Sequence, residues 1–81
     1  MDPKAALAAA LTGAAASRFA YNEWVRRGGY KVSVKVRAHT DTWMRGIRYV
    51  EVHSVGVVYV HGVHLMSKTK VRLPLGAVEV E

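Results

Sequence analysis

The side chains equipped to do chemistry in this sequence are cations and aromatic rings. Lys31, Lys35 and Arg37 recur at even spacings in one stretch, Lys70 and Arg72 do so in another, and Arg45 and Arg48 lie between. On an extended backbone even spacing puts side chains on one face, so each group presents its charges together. Grouped cations contact phosphates, and such binding weakens with salt because condensed counterions are released. Tyr30, Trp43, Tyr49 and Tyr59 interleave with these charges, and an exposed ring stacked on an unpaired base contributes about 1–3 kcal/mol. Trp43, beside a polar turn, is the ring best placed for exposure, whereas Tyr30 falls on the apolar side of its stretch. The same charges also suit a solvated face that keeps strand edges from pairing.

Other chemistries lack their residues. His61-Gly62-Val63-His64 offers two potential metal ligands, but their spacing puts them on opposite faces of a strand. No Cys or neighbouring carboxylate completes a tetrahedral set, so no metal site is assigned. These histidines read as polar strand residues, or as contacts to phosphate or neighbouring subunits that strengthen on protonation. Asp41, Glu51 and the histidines show no spacing that proton transfer demands. Gly28-Gly29 is an isolated pair after a helical stretch, a cap and not a phosphate-cradling loop. No catalytic residue and no cofactor is expected. The absence of cysteine excludes a disulfide-stapled scaffold, a cysteine-zinc module and a thiol nucleophile.

These side chains must be positioned by one small domain spanning residues 1–81, since a chain of this length buries only about 60% of its unfolded surface. Hydrophobic residues at 51% and charged residues at 22% are globular proportions. Twelve Lys and Arg against six Asp and Glu leave a net charge of +6, and the pI near 10.1 calls for an anionic partner. Residues 18–48 hold eight basic and two acidic residues, while the last nine residues hold only acidic charges. The absence of Gln and the single Asn suit a thermophilic source.

An Ala-rich stretch predicts one helix over about 4–27. Asp2-Pro3 starts it, Arg26 and Arg27 complement its last carbonyls, and Gly28-Gly29 supplies the left-handed stop. Phe19 and Trp24 are read as packing against the rest of the domain, and Thr12-Gly13 as a weak point. The thirteen uncharged residues between Lys4 and Arg18 are too few to span a bilayer, and the N-terminal charge does not suit a signal peptide. A cytoplasmic location is expected.

From Tyr30 the period changes to two. Tyr30, Val32, Val34, Val36 and Ala38 alternate with polar residues. Further strands are expected from Trp43 to about His53, over Val57–His61 bending at Gly62 into Val63–Met66, over Lys70–Leu73, and over Ala77–Glu81. A bulge or strong bend is expected near Arg48-Tyr49, where the alternation slips between Ile47 and Val50. A helix followed by five short strands closes most economically as a small, strongly bent antiparallel barrel over about 30–81.

This order resembles the Sm-like small β-barrel family. Trp43-Met44-Arg45-Gly46-Ile47-Arg48-Tyr49-Val50 is similar to the family's second strand, with its basic-Gly bend. Leu73-Pro74-Leu75-Gly76-Ala77-Val78-Glu79-Val80 is similar to its fourth strand, corner and fifth strand. The resemblance implies a ring of subunits paired edge to edge that binds RNA. The loops that form the family's base pocket are replaced by His53-Ser54-Val55-Gly56 and Leu75-Gly76-Ala77, so none of its pocket residues is carried over. Archaeal chromatin proteins and ribosome-associated modules share the same coarse pattern.

Two functions follow. The first is a non-catalytic module binding RNA or single-stranded DNA through Lys31, Lys35, Arg37, Trp43, Arg45, Arg48, Lys70 and Arg72, since nothing reads as a recognition helix. The second is a homo-oligomeric structural protein that forms a ring, filament or shell through its small-residue helix and Val-rich strand edges.

Overall fold

The computed structural model describes residues 1–37 and 49–81. Its N-terminal region holds two helices where the sequence pattern predicts one. Asp2 caps the first, accepting from the backbone N–H of Lys4 at 3.0 Å and of Ala5 at 3.3 Å. α1 runs Pro3–Leu11. It ends because Gly13 adopts φ 97°, a left-handed conformation open to glycine, while the Thr12 hydroxyl donates to the Ala9 carbonyl at 2.7 Å. α2, Ala15–Arg26, follows, and the two helices lie against each other. The turn lets Leu7 and Ala10 enter the same core as Tyr21. α2 stops as expected at Gly28, with φ 93°. Glu23 binds Arg26 and, at 3.1 Å, Arg27. Hydrogen bonds from these two guanidiniums, Arg26 first, hold its carboxyl below the usual range.

Five strands follow: β1 Ser33–Val36, β2 Tyr49–Val55, β3 Tyr59–His64, β4 Lys70–Pro74 and β5 Val78–Val80. They form an antiparallel sheet in the order β4-β3-β2-β1-β5. Val32, Val34, Val36, Val50, Val52, Val55, Val60, Val71, Leu73 and Val78 supply its buried face, which packs on Leu7, Ala10 and Tyr21. The phase of β2 shifts between Val52 and Ser54, where the ladder is irregular. His53 is the extra residue of this bulge, and it brings Val55 back to the core side. The bulge or bend expected near Arg48-Tyr49 falls partly outside the described residues, since Arg48 is not among them.

Gly62 lies inside a single continuous strand, β3, and does not divide it. It pairs with Val52 on one side and Val71 on the other, and an added Cβ would collide with the Glu51 carbonyl oxygen and lie 2.6 Å from Val50 Cγ1. The glycine therefore permits close strand approach. Val57 and Val58, expected in the third strand, instead form the exposed tip of the β2–β3 hairpin, which closes through Gly56 N–H to Tyr59 C=O at 2.8 Å.

A short 3₁₀ turn, Leu75–Ala77, joins β4 to β5, the two margins of the sheet. In a flat sheet those margins would stand about 19 Å apart, at about 4.8 Å per strand spacing. The peptide units from Pro74 to Val78 reach at most about 14 Å when extended, and less in a 3₁₀ turn. The sheet must therefore roll. Among the described residues β4 and β5 share no ladder, so the sheet is rolled but not closed. No helix among the described residues is long and apolar enough to cross a membrane.

Candidate nucleic-acid interface

Two adjacent polar residues of α2 fasten the helices to the sheet. Tyr21 is fully buried, and its hydroxyl accepts from Val32 N–H at 3.0 Å and donates to the Val52 carbonyl at 2.8 Å. Burial pushes the phenol above its ordinary pKa, while the bond from Val32 N–H acts in the opposite direction. Asn22 donates to the Val55 carbonyl and accepts from Val55 N–H, both at 2.8 Å. β1 pairs with β2 only as far as the Val32–Val52 bond, so the Asn22 amide takes the place of a missing strand beside Val55. With one face of the sheet covered in this way, the other face is left to solvent.

Trp24 fixes the approach to β1. Its indole N–H donates to the Tyr30 carbonyl at 2.9 Å, and its ring lies over Gly29, where any Cβ would collide with it. The Trp24 and Tyr30 rings meet edge to face, with centroids 5.5 Å apart and planes at 86°. Tyr30 is 62% exposed, which corrects its expected place on the buried face. β1 begins only at Ser33, so the alternation that buries Val32 and Val34 does not extend back to Tyr30. Phe19, expected to pack on the sheet, is 69% exposed, because Tyr21 and Asn22 turn their side of α2 inward.

Lys31, Lys35, Arg37, Lys70 and Arg72 are all exposed. The register places Lys35 between Tyr49 and Glu79, and Arg37 lies 4.0 Å from the Glu79 carboxylate. Arg72 pairs with His61 across the ladder and stacks over the Tyr59 ring, 4.5 Å from its centroid. β2 and β3 lie between the β1 and β4 cations, so about 14 Å of sheet separates them. Within that band Glu51 contacts His53 at 3.0 Å. The structure thus puts the five cations on the solvent side but in two groups. Trp43, Arg45 and Arg48 lie outside the described residues.

Each group borders a cleft. Lys4, Tyr30, Lys31, Ser33, Tyr49 and Glu81 line one of about 340 Å³. His53, His61, Val63 and Lys70 line another of about 250 Å³. Lys4 was not readable as a site residue from the sequence, since only the fold brings the start of α1 beside β1, while Tyr30 was legible as one of the interleaved rings but placed by alternation on the buried face. The spacing did identify His61 and His64 as residues of opposite faces: His61 is exposed, while His64 is half-buried with Nδ1 2.7 Å from the Ser67 hydroxyl. Among the described residues no three His, Asp or Glu side chains are grouped to hold a metal. Comparison of the chain with protein-family models, curated proteins and solved structures found no match.

Proposed function

We propose that this protein is a non-catalytic nucleic-acid-binding module, a small Sm-like barrel that holds RNA or single-stranded DNA by its phosphates. The observation that carries the reading is the placement of Lys31, Lys35, Arg37, Lys70 and Arg72 at exposed positions on the helix-free side of the sheet. Only Arg37 of these five is in an ion pair among the described residues. The order of elements, with a 3₁₀ corner before the last of five strands, and the rolling that this corner imposes both favour the small-barrel reading. If all five cations meet phosphates of a single strand, affinity falls about 100-fold between 50 and 200 mM salt.

A second reading is supported by the sheet margins. Arg37 N–H donates to Ala77 C=O at 2.7 Å, and Leu75 N–H to Val58 C=O at 3.1 Å. From those bonds, alternation turns the backbone groups of Val78 and Val80, and of Lys70 and Arg72, away from their single neighbouring strand. Joining β4 of one copy to β5 of the next would build a ring where the rotation closes and a filament or shell where it does not, either as the platform for nucleic acid or as a structural assembly in its own right.

The test is size-exclusion chromatography with light scattering on nuclease-treated protein, at low and high salt, with and without single-stranded RNA, for wild type and the Lys35→Glu, Arg37→Glu double variant. Salt-sensitive loading of RNA that the double variant loses, with an unchanged oligomer, is the expected result. Unchanged RNA loading by the variant removes the β1 cations from the interface. A large, salt-resistant assembly that ignores RNA makes the structural reading the better one.

A further inference from the structure

We propose that the cleft holding Tyr30 and Tyr49 is a stacking site for an unpaired nucleobase, with Lys4 and Lys31 taking the flanking phosphates. This rests on the nucleic-acid reading and extends it, because phosphate contacts alone do not distinguish a strand with available bases from a bare anionic chain.

Four features of the cleft support this assignment. Two tyrosines, 62% and 41% exposed, line the same space, and a ring is a sequence-tolerant partner for any base. Tyr30 is held before the ligand arrives, since Trp24 binds its carbonyl at 2.9 Å and touches its ring edge to face. An edge-to-face contact uses at most one face of the ring, so Trp24 leaves at least one face of the 62% exposed Tyr30 ring uncovered by its own indole. Lys4 and Lys31 line the cleft, and Lys35 stands across the ladder from Tyr49, so the rings lie within a cationic rim. The volume of about 340 Å³ is at the small end of the ligand-pocket range of roughly 300–1,000 Å³, as suits one base and part of its sugar. Glu81 also lines the cleft. Its carboxylate repels phosphate and accepts from amino groups, which favours a base with an exocyclic amine and keeps the backbone on the lysine side.

The experiment measures fluorescence anisotropy of three labelled probes of equal length, an oligoadenylate, the same backbone without bases, and a duplex. The proteins are wild type, Tyr30→Leu, Tyr49→Leu and the double variant, each checked by circular dichroism. Both rings are exposed, so these changes remove little core. Wild type is expected to prefer the oligoadenylate over the abasic strand and the duplex. Each tyrosine change is expected to lower oligoadenylate affinity by roughly 5- to 150-fold while leaving abasic binding unchanged. Equal wild-type affinity for the base-bearing and abasic strands, or an unchanged preference in the double variant, overturns the stacking site while leaving the phosphate reading intact. Binding to none of the probes overturns both.

Discussion

Replacing Tyr21 by Phe removes one oxygen atom and tests whether a polar joint holds the helices on the sheet. The hydroxyl serves two buried backbone groups, accepting from Val32 N–H at 3.0 Å and donating to Val52 C=O at 2.8 Å. Leaving both unpaired costs about 1–3 kcal/mol for each, an upper range of about 2–6 kcal/mol. The strands have one way to recover. Val52 N–H already donates to Val32 C=O at 2.9 Å, and closing the ladder by one more bond would let Val32 N–H reach Val52 C=O directly. That movement pulls β1 and β2 together where the phenol holds them apart and leaves a void behind, so recovery is partial and a net loss of about 2 kcal/mol is expected. A domain of this size has only about 4–12 kcal/mol in total. With a urea slope of about 1 kcal/mol per molar, the midpoint should fall by about 2 M. A midpoint within about 0.3 M of wild type would show that water or a closed ladder replaces the hydroxyl at no cost. The same pair of proteins gives an alkaline test. Burial raises the Tyr21 pKa above 10.0 in the folded state, whereas the unfolded chain ionises near the ordinary value, so the unfolded state releases its proton first. The stability that depends on Tyr21 is therefore complete below pH about 10 and is lost as pH rises through the folded-state pKa. Wild type should lose stability more steeply than Tyr21→Phe in that window, and parallel curves would refute the assignment.

Two other substitutions test the neighbouring joints. Asn22→Ala strips both partners from Val55 and should cost about 2 kcal/mol, with faster amide exchange at Val55; an unchanged Val55 exchange rate would count against the strand-substituting role of the amide. Gly62→Ala forces a methyl against the Glu51 carbonyl and the Val50 side chain and should cost about 1–3 kcal/mol, read as a lower thermal midpoint with β2–β3 amides losing protection first; a neutral change would mean that the two strands separate freely there.

Local rules made much of this legible. Asp2-Pro3 and Gly28 mark helix ends by side-chain and dihedral chemistry that needs no tertiary partner, and the alternation at Val32, Val34 and Val36 identifies a half-buried strand by period alone. The break at Thr12-Gly13 was legible only as a weak point, since one glycine in an Ala-rich run costs about 1 kcal/mol, and the gain that outweighs it is burial of Leu7 and Ala10 after the chain turns back. Gly62 signalled an irregularity but not its kind, because a bend and a close approach both need the missing Cβ. The exposure of Lys35 and Arg72 was readable from period, but their separation depends on strand order, which brings β5 to β1 and leaves β4 at the far margin.

The aromatics show the same division between local and tertiary information, and their final positions bear on function. An inward-facing ring on α2 had to satisfy an N–H and a C=O at the end of the β1–β2 ladder, a task open to the tyrosine hydroxyl and closed to Phe19. One phenol went inward and three stayed outside, each beside a cation: Tyr59 beneath Arg72, Tyr49 opposite Lys35, and Tyr30 in the cleft with Lys4 and Lys31. These three are not equivalent. Arg72 already covers a face of Tyr59, so a base stacking on that face would have to displace a guanidinium. Tyr30 is 62% exposed against 37% for Tyr59, and its contact with Trp24 takes at most one of its faces. On the nucleic-acid reading, the β4 margin therefore contributes affinity mainly through charge, while the β1–β2 region contributes both charge and stacking. The strand that binds across both would then be oriented by where its bases are accepted, although its phosphates are attracted along the whole face.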